Sequence, residues 1–131
     1  MKESLTLTAD FPVTPHRLYT AWLDSVEHGA FTGSKAEIDP GEGGSFTAWD
    51  GYIQGKNLEL EPDHRILQSW RTTDFHKKDP DSLLEILLET QGDGTRLTML
   101  HTLIPEGQSA EYRQGWKDYY FESMMKYFSK G

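Results

Sequence analysis

Five histidines are the side chains of this sequence best suited to acid–base or metal chemistry. No two of them are four residues apart, the spacing that places two imidazoles on one helical face for zinc. His76 lies near Asp74 and Asp79, but a polar loop would be a poor metal cage. We therefore predict no metal site. The histidines are His16, His28, His64, His76 and His101.

Covalent catalysis and phosphate binding have no recognisable motif. Cysteine is absent, and no serine stands in a Gly-x-Ser-x-Gly turn. The run Gly41–Gly44 lacks the lysine and the helix-opening hydroxyl residue of a phosphate loop, and it contains the acidic Glu42. We interpret this run as a structural turn or bulge that lets a sheet bend. No catalytic residue and no cofactor are predicted.

Three polar residues leave a catalytic or ligand-binding role open. His101 lies in a predicted strand with apolar residues on both faces, so periodicity does not decide where its side chain points. Arg71, next to Trp70, could neutralise an acidic ligand, but a surface or sheet-edge salt bridge is the favoured interpretation. A small cyclase or hydrolase using His101, Tyr120 or Arg71 stays an alternative. It is the weaker one, since spacing identifies no acid–base pair.

The first third of the chain predicts one strand and two short helices. Apolar and polar residues alternate strictly over Ser4–Phe11, which indicates a half-buried strand. Thr14–Pro15 places a capping hydroxyl before a proline, the usual start of a helix. Asp24 with Glu27 three residues later resembles a capping box, which predicts a second helix ending near Gly29.

The middle of the chain predicts strands joined by short turns. Asp50–Gly51, Pro62–Asp63 and Asp93–Gly94 are turn signals, and connections this short favour antiparallel neighbours. The longer polar segment Asp74–Ser82 is expected at a solvent-exposed rim. With the first strand the total is seven. The other six are predicted at Ala36–Asp39, Ser45–Trp49, Tyr52–Glu61, Arg65–Thr72, Leu83–Thr90 and Thr95–Ile104.

The last segment predicts one long helix, capped by Ser109 and reaching about Ser129. Its apolar face is so wide that a sheet must enclose it. The chain therefore reads as a single α+β domain over residues 1–131, a curved antiparallel sheet of six to seven strands wrapped around a C-terminal helix. Such a fold can leave a cavity. The predicted cavity residues are Phe31, Phe46, Trp49, Trp70, His101, Trp116, Tyr120 and Met124.

Charge and composition exclude several partners. The formal charge is -8, and Lys35–Thr95 holds thirteen acidic against six basic residues, so the domain should repel nucleic acid. No apolar run reaches the roughly 18 residues of a membrane span. The absence of cysteine and the polar start MKESLTLTAD favour a cytoplasmic protein.

Four stretches of the chain carry a resemblance to a known family. They are FPVTPHRLYTAWLDS (Phe11–Ser25), PGEGGSFTAWDGYIQGKNLELEPDHRILQSWR (Pro40–Arg71), TRLTMLHTLIP (Thr95–Pro105) and YRQGWKDYYFESMMKYF (Tyr112–Phe128). Together they make the chain resemble the stand-alone bacterial members of the AHSA1 family, in the START-like (SRPBCC) superfamily. The resemblance implies a helix-grip fold whose cavity relatives use for lipids, sterols or polyketides. It also implies that Trp116 looks into that cavity.

These observations lead to one main functional hypothesis and two alternatives. The main hypothesis is non-enzymatic binding of a small hydrophobic or amphipathic ligand between the sheet and the C-terminal helix. One alternative is an Hsp90-type co-chaperone or stress-related protein-interaction domain, although the sequence holds no counterpart of the full-length activator's N-terminal domain. The other is the cavity enzyme described above. Exposed strands could also pair, so we expect a monomer or a homodimer.

Overall fold

One antiparallel sheet and a C-terminal helix make up most of the computed structural model, which describes residues 1–129. The sheet order is β1-β7-β6-β5-β4-β3-β2, and the predicted helix-grip architecture is confirmed. The strands are β1 (Glu3–Phe11), β2 (Glu37–Ile38), β3 (Ser45–Ala48), β4 (Ile53–Glu61), β5 (Arg65–Thr72), β6 (Ser82–Gln91) and β7 (Gly94–Ile104). The helical elements are α1 (Pro15–Trp22), α2 (Ser25–Thr32), α3 (Ser109–Gly115), a π-helical segment (Trp116–Phe121) and α4 (Glu122–Ser129).

Capping interactions start the two short helices where the sequence predicted them. The Thr14 hydroxyl accepts a hydrogen bond from the Arg17 backbone N–H at 3.2 Å, and the Asp24 carboxylate accepts one from the Glu27 N–H at 2.9 Å. The predicted end of α2 near Gly29 is wrong. The helix continues to Thr32 and ends at Gly33, whose φ of 77° is the left-handed conformation that terminates helices.

The start of α3 differs from the prediction. Ser109 is the first residue of the helix rather than its cap. Its backbone N–H donates to the Glu3 carboxylate of β1 at 3.1 Å, and the hydrogen bonds from Ser109 lower the pKa of Glu3. A residue 106 positions away in the sequence therefore accepts from the first N–H of this helix, which has no partner within the helix.

Two of the three predicted turns are placed correctly. Asp50–Gly51 adopts φ angles of 55° and 92°, and Asp63 adopts 67°, as tight hairpins require. The predicted Asp93–Gly94 turn is shifted by one residue. Strands β6 and β7 pair along their whole lengths, which leaves only Gly92–Asp93 for the turn, with Gly92 at φ 59°.

A single core lies between the sheet and the helices. The alternation predicted for β1 is confirmed, since Leu5, Leu7 and Phe11 are buried there. They join a cluster that also contains buried residues of every helical element and of strands β3 to β7. None of the helices within residues 1–129 has the length and apolar character needed to cross a membrane.

Candidate functional site

A cavity of about 320 Å³ opens between the π-helical segment, strand β5 and the turn that joins β3 to β4. Its walls are almost wholly apolar. Seven of the nine lining residues are aromatic, and the other two are an isoleucine and a glycine. The lining residues are Trp49, Tyr52, Ile53, Trp70, Tyr112, Gly115, Trp116, Tyr119 and Tyr120.

The structure brings together half of the residues predicted for the cavity. Four of the eight line it: Trp49, Trp70, Trp116 and Tyr120. The other four are buried in the core around it rather than in its wall. These are Phe31, Phe46, His101 and Met124.

The core residues pack against the cavity wall or near it. The Phe31 ring lies 6.3 Å from the Tyr120 ring, and the His101 ring lies 4.6 Å from the Trp70 ring. Phe46 packs over Gly55, where an added Cβ would approach its ring at 2.8 Å. Met124 is 1% exposed and belongs to α4, one turn beyond the cavity.

The π-helical segment explains how three rings of the C-terminal helix reach one cavity. The backbone N–H of Glu122 donates to the carbonyl of Lys117, five residues earlier, so this turn holds more residues than an α-helical turn. Trp116, Tyr119 and Tyr120 all lie in this segment and all line the cavity. An uninterrupted helix was predicted here. Such π-turns inside α-helices are frequent at functional sites.

Trp49 forms the opposite wall from an unusual backbone conformation. Its φ is 51°, a left-handed value that bulky residues rarely adopt. The following amide of Asp50 donates to the Lys35 carbonyl at 2.9 Å, which anchors the turn. From this position the Trp49 ring meets Tyr119 at 5.8 Å and Tyr120 at 6.4 Å between centroids. Backbone strain of this kind is concentrated at ligand-contacting sites.

A buried hydrogen-bond chain fixes two of the tryptophans from behind. Trp116 Nε1 donates to His101 Nδ1 at 3.2 Å. The indole N–H can only donate, so Nδ1 is an acceptor and His101 Nε2 carries the proton that is donated to Ser82 Oγ at 2.9 Å. Ser82 in turn donates to the Trp70 carbonyl at 2.7 Å. Burial lowers the pKa of His101 to about 3, which keeps this imidazole neutral.

A second buried histidine fixes Tyr120. The Trp22 carbonyl accepts from His28 Nδ1 at 2.9 Å, so His28 Nε2 must accept from the Tyr120 hydroxyl, also at 2.9 Å. Burial lowers the pKa of His28 to about 4 and raises the pKa of Tyr120. The hydroxyl therefore points away from the cavity and the ring forms its wall.

The polar atoms at the cavity mouth are also hydrogen-bonded. The Tyr52 hydroxyl donates to Asp74 Oδ2 at 2.6 Å, and burial together with this bond raises the pKa of Tyr52. The Tyr112 hydroxyl donates to Gln108 Oε1 at 2.7 Å and contacts the Thr72 hydroxyl at 2.7 Å. These bonds hold both rings in place at the opening.

Arg71 does not reach the cavity. Its guanidinium donates to the Asp81 carboxylate at 2.9 Å and to the backbone carbonyls of Asp79 and His76 at 2.9 and 3.1 Å. It thus holds the loop between β5 and β6, which is the salt-bridge interpretation favoured from the sequence. Within residues 1–129 no group of three or more His, Asp and Glu side chains is arranged to hold a metal ion.

Sequence reasoning did not assign five lining residues to the cavity: Tyr52, Ile53, Tyr112, Gly115 and Tyr119. Tyr112 and Tyr119 belong to the aromatic stripe of the C-terminal helix, and Gly115 directly precedes Trp116. The sequence pattern therefore marked these three residues as candidates for the cavity wall. Ile53 pairs across the sheet with Thr72, two residues beyond Trp70. That proximity depends on strand register, which a bulge between Asn57 and Glu59 shifts by one residue, so the hairpin length alone does not supply it.

The comparisons with known proteins agree with this fold. A family model described as "Activator of Hsp90 ATPase homolog 1-like protein" (AHSA1) matches residues 12–129. The chain belongs to the AHSA1 family. The human protein "Activator of 90 kDa heat shock protein ATPase homolog 1" is 29% identical over 127 residues, which are 97% of this chain and 37% of that protein. The chain thus spans little more than a third of this relative.

Two solved structures have the same architecture. An HSP90 activator from Plasmodium falciparum superposes with a TM-score of 0.80 at 27% identity, covering 91% of this chain and 90% of that one. CalU16 from Micromonospora echinospora superposes with a TM-score of 0.77 at 27% identity, covering 95% and 76%. The predicted family resemblance is confirmed.

Proposed function

We propose that this AHSA1 domain binds a small apolar or amphipathic molecule in the aromatic cavity under the π-helical segment. The observation that carries the proposal is the cavity itself, about 320 Å³ with almost wholly apolar walls. This volume lies at the lower end of the roughly 300–1,000 Å³ typical of ligand sites. Its walls leave apolar surface open to solvent, which stability alone does not favour.

Ring burial supplies enough free energy for binding. At about 25 cal/mol per Å² of apolar surface, a ligand that hides about 300 Å² gains roughly 7 kcal/mol before ordering costs. After those costs, dissociation constants of about millimolar are expected. No charged contact is needed.

The walls are rigid before a ligand arrives. Trp116 and Tyr120 are held by buried hydrogen bonds to His101 and His28. Tyr52 is held by Asp74. A pre-organised wall loses little conformational entropy on binding, which favours affinity.

Native mass spectrometry compared with the denatured mass tests whether the purified protein retains a small molecule. Titration with the neutral fluorophore N-phenyl-1-naphthylamine then tests the cavity directly. Three of the four tryptophans line the cavity, so their emission should change on binding.

Gly115 also lines the cavity in helical geometry, and a Cβ added there meets only Tyr119, at 4.0 Å. Gly115→Leu should fill the cavity and weaken fluorophore binding at least about tenfold, while Gly115→Ala, which adds one carbon, should change it less than threefold. A wild-type protein that neither carries an adduct nor binds the fluorophore would contradict the proposal. Equal binding by Gly115→Leu would contradict the assignment of the site.

A second candidate function is contact with an Hsp90-type chaperone. It is favoured by family membership and by the similarity to proteins named as activators of that chaperone's ATPase. The acidic segment Lys35–Thr95 offers a charged surface for such contact. The test is co-purification with an Hsp90-type chaperone followed by its ATPase rate. Gly115→Leu should leave any stimulation of the ATPase unchanged, because its side chain fills the cavity and leaves the exposed charges of this segment in place.

A further inference from the structure

Three of the five ring pairs in the cavity wall meet at 65–82° and the other two at 42° and 53°, so the rings enclose space as the walls of a box. Trp70 and Tyr112 are inclined at 82° with centroids 5.0 Å apart. Trp49 and Tyr119 are inclined at 72°. Rings packed in a parallel stack would cover each other's faces, whereas in an edge-to-face pair only one face is covered and the remaining faces are left for an occupant. An aromatic face carries the negative part of the ring quadrupole.

The polar atoms of four of these rings are already engaged with protein partners. The hydroxyls of Tyr52, Tyr112 and Tyr120 and the indole N–H of Trp116 donate to Asp74, Gln108, His28 and His101 respectively. These rings therefore offer an anion no hydrogen-bond donor. The three phenol oxygens keep lone pairs, which can only accept hydrogen bonds. What they present is negative π-surface.

Two carboxylates beside the cavity add to this negative field. Asp50 follows Trp49 in the turn, and Asp74 accepts from the Tyr52 hydroxyl. Among residues 1–129 neither carboxylate has a Lys, Arg or His nitrogen within 4.0 Å. The segment that contains them, Lys35–Thr95, has a net charge of -7 from thirteen acidic and six basic residues. On the sheet side of the cavity these charges favour cations over anions.

From the ring geometry and the charge around the mouth we infer that the preferred occupant is an organic cation, a quaternary or methylated ammonium group carried on a small apolar body. This inference rests on the proposed function, because it names the ligand class of the same cavity. Boxes of aromatic rings recognise alkylated ammonium groups through cation–π attraction. The two carboxylates would raise the local concentration of such a ligand.

An isosteric pair of probes separates the inference from the proposed function. Benzyltrimethylammonium and neopentylbenzene have the same shape and differ by one nitrogen in place of carbon and by one positive charge. A merely apolar cavity must bind neopentylbenzene more tightly, since the cation loses more hydration. A box of π-faces reverses that order. Tryptophan fluorescence at 0.15 M salt, with each probe titrated separately, measures both affinities.

We expect benzyltrimethylammonium to bind at least about fivefold more tightly than neopentylbenzene, the range that cation–π contacts support. Tighter binding of neopentylbenzene would overturn the inference and leave the proposed function standing. Binding of neither probe would overturn the inference, and the fluorophore titration would then decide the proposed function.

Protein variants test the two sources of cation preference. Tyr119 is 61% exposed, so Tyr119→Leu removes a ring from the mouth without disturbing the core. This variant should weaken the binding of benzyltrimethylammonium about threefold or more and change the affinity for neopentylbenzene less than twofold. Asp74→Asn keeps an acceptor for Tyr52 and should weaken only the cation, more at low salt. Asp93→Asn, in the turn at the far end of β6, is the matched control and should change neither affinity. Equal losses for both probes in Tyr119→Leu would contradict a cation–π contribution.

Discussion

Trp116 and His101 share a hydrogen bond of 3.2 Å from the indole Nε1 to the imidazole Nδ1. Trp116 lines the cavity, whereas His101 is fully buried behind it. The bond needs a neutral imidazole, because protonation would place a hydrogen on Nδ1. His101 thus acts as a positioning residue for a cavity wall, and its protonation state is coupled to the fold.

The first prediction is a loss of stability in mild acid. The pKa values of His28 and His101 are lowered from 6.5 to about 4 and about 3 by burial. The unfolded chain therefore binds more protons than the native protein below pH 6.5. The stabilisation that comes from keeping the two histidines neutral is complete above pH 6.5 and is lost as the pH falls towards 4 and then 3. Each histidine accounts for a loss of roughly 3 kcal/mol or more in the free energy of unfolding. Urea unfolding at pH 7.5, 6 and 5 measures the change.

Histidine variants identify the source of this pH dependence. His101→Gln retains an acceptor for Trp116 and a donor for Ser82, and His28→Gln does the same at its own site. Each variant should reduce the slope of unfolding free energy against pH between 6 and 5 by about 1.4 kcal/mol per pH unit, the value for one proton. A slope that both variants leave intact would show that other groups govern acid sensitivity.

The second prediction concerns two glycines with opposite surroundings. Gly115 is helical and an added Cβ enters the cavity, so Gly115→Ala should stabilise the protein by about 1 kcal/mol through helix propensity. At Gly55 a Cβ would lie 1.9 Å from the Ser69 carbonyl oxygen. Gly55→Ala should therefore destabilise by about 3 kcal/mol or prevent folding. Thermal unfolding compares the two, and stabilisation by both would show that the sheet yields at Gly55.

The third prediction concerns a buried amide pair in the sheet. Asn57 donates to the carbonyls of Asp39 and Gly41 and accepts from Gln68. It is fully buried. Asn57→Ala leaves these partners without a hydrogen bond, which should lower the unfolding free energy by about 2–4 kcal/mol. Gln54→Ala, an exposed amide on the same strand, should cost less than about 0.5 kcal/mol. Similar losses for both would argue against the buried network.

Much of the fold follows from local patterns. The alternation in β1 and the caps at Thr14 and Asp24 are local signals, because short-range sterics and hydrogen bonds determine them. The cap of α3 is supplied by Glu3 from the far end of the chain. No local pattern near Ser109 could indicate it.

The candidate site was predictable only in part for a similar reason. Aromatic composition marked Trp49 and Trp116, but the π-turn that gathers the helix rings depends on packing against the sheet rather than on residue preference. His101 was ambiguous because both faces of β7 are apolar. Its inward direction is decided by the partners Ser82 and Trp116.

The last prediction separates the ring of Tyr120 from its hydroxyl. Tyr120→Phe keeps the cavity wall but leaves the buried Nε2 of His28 without its donor, so stability should fall by about 1–2 kcal/mol. Fluorophore affinity should stay within twofold of wild type, because the hydroxyl points away from the cavity. Trp116→Leu is the complementary variant, and it should weaken binding because it removes wall surface. Unfolding and fluorophore titration are measured on the same preparations. A large loss of binding in Tyr120→Phe would place the hydroxyl in contact with the ligand, which requires the His28 bond to open.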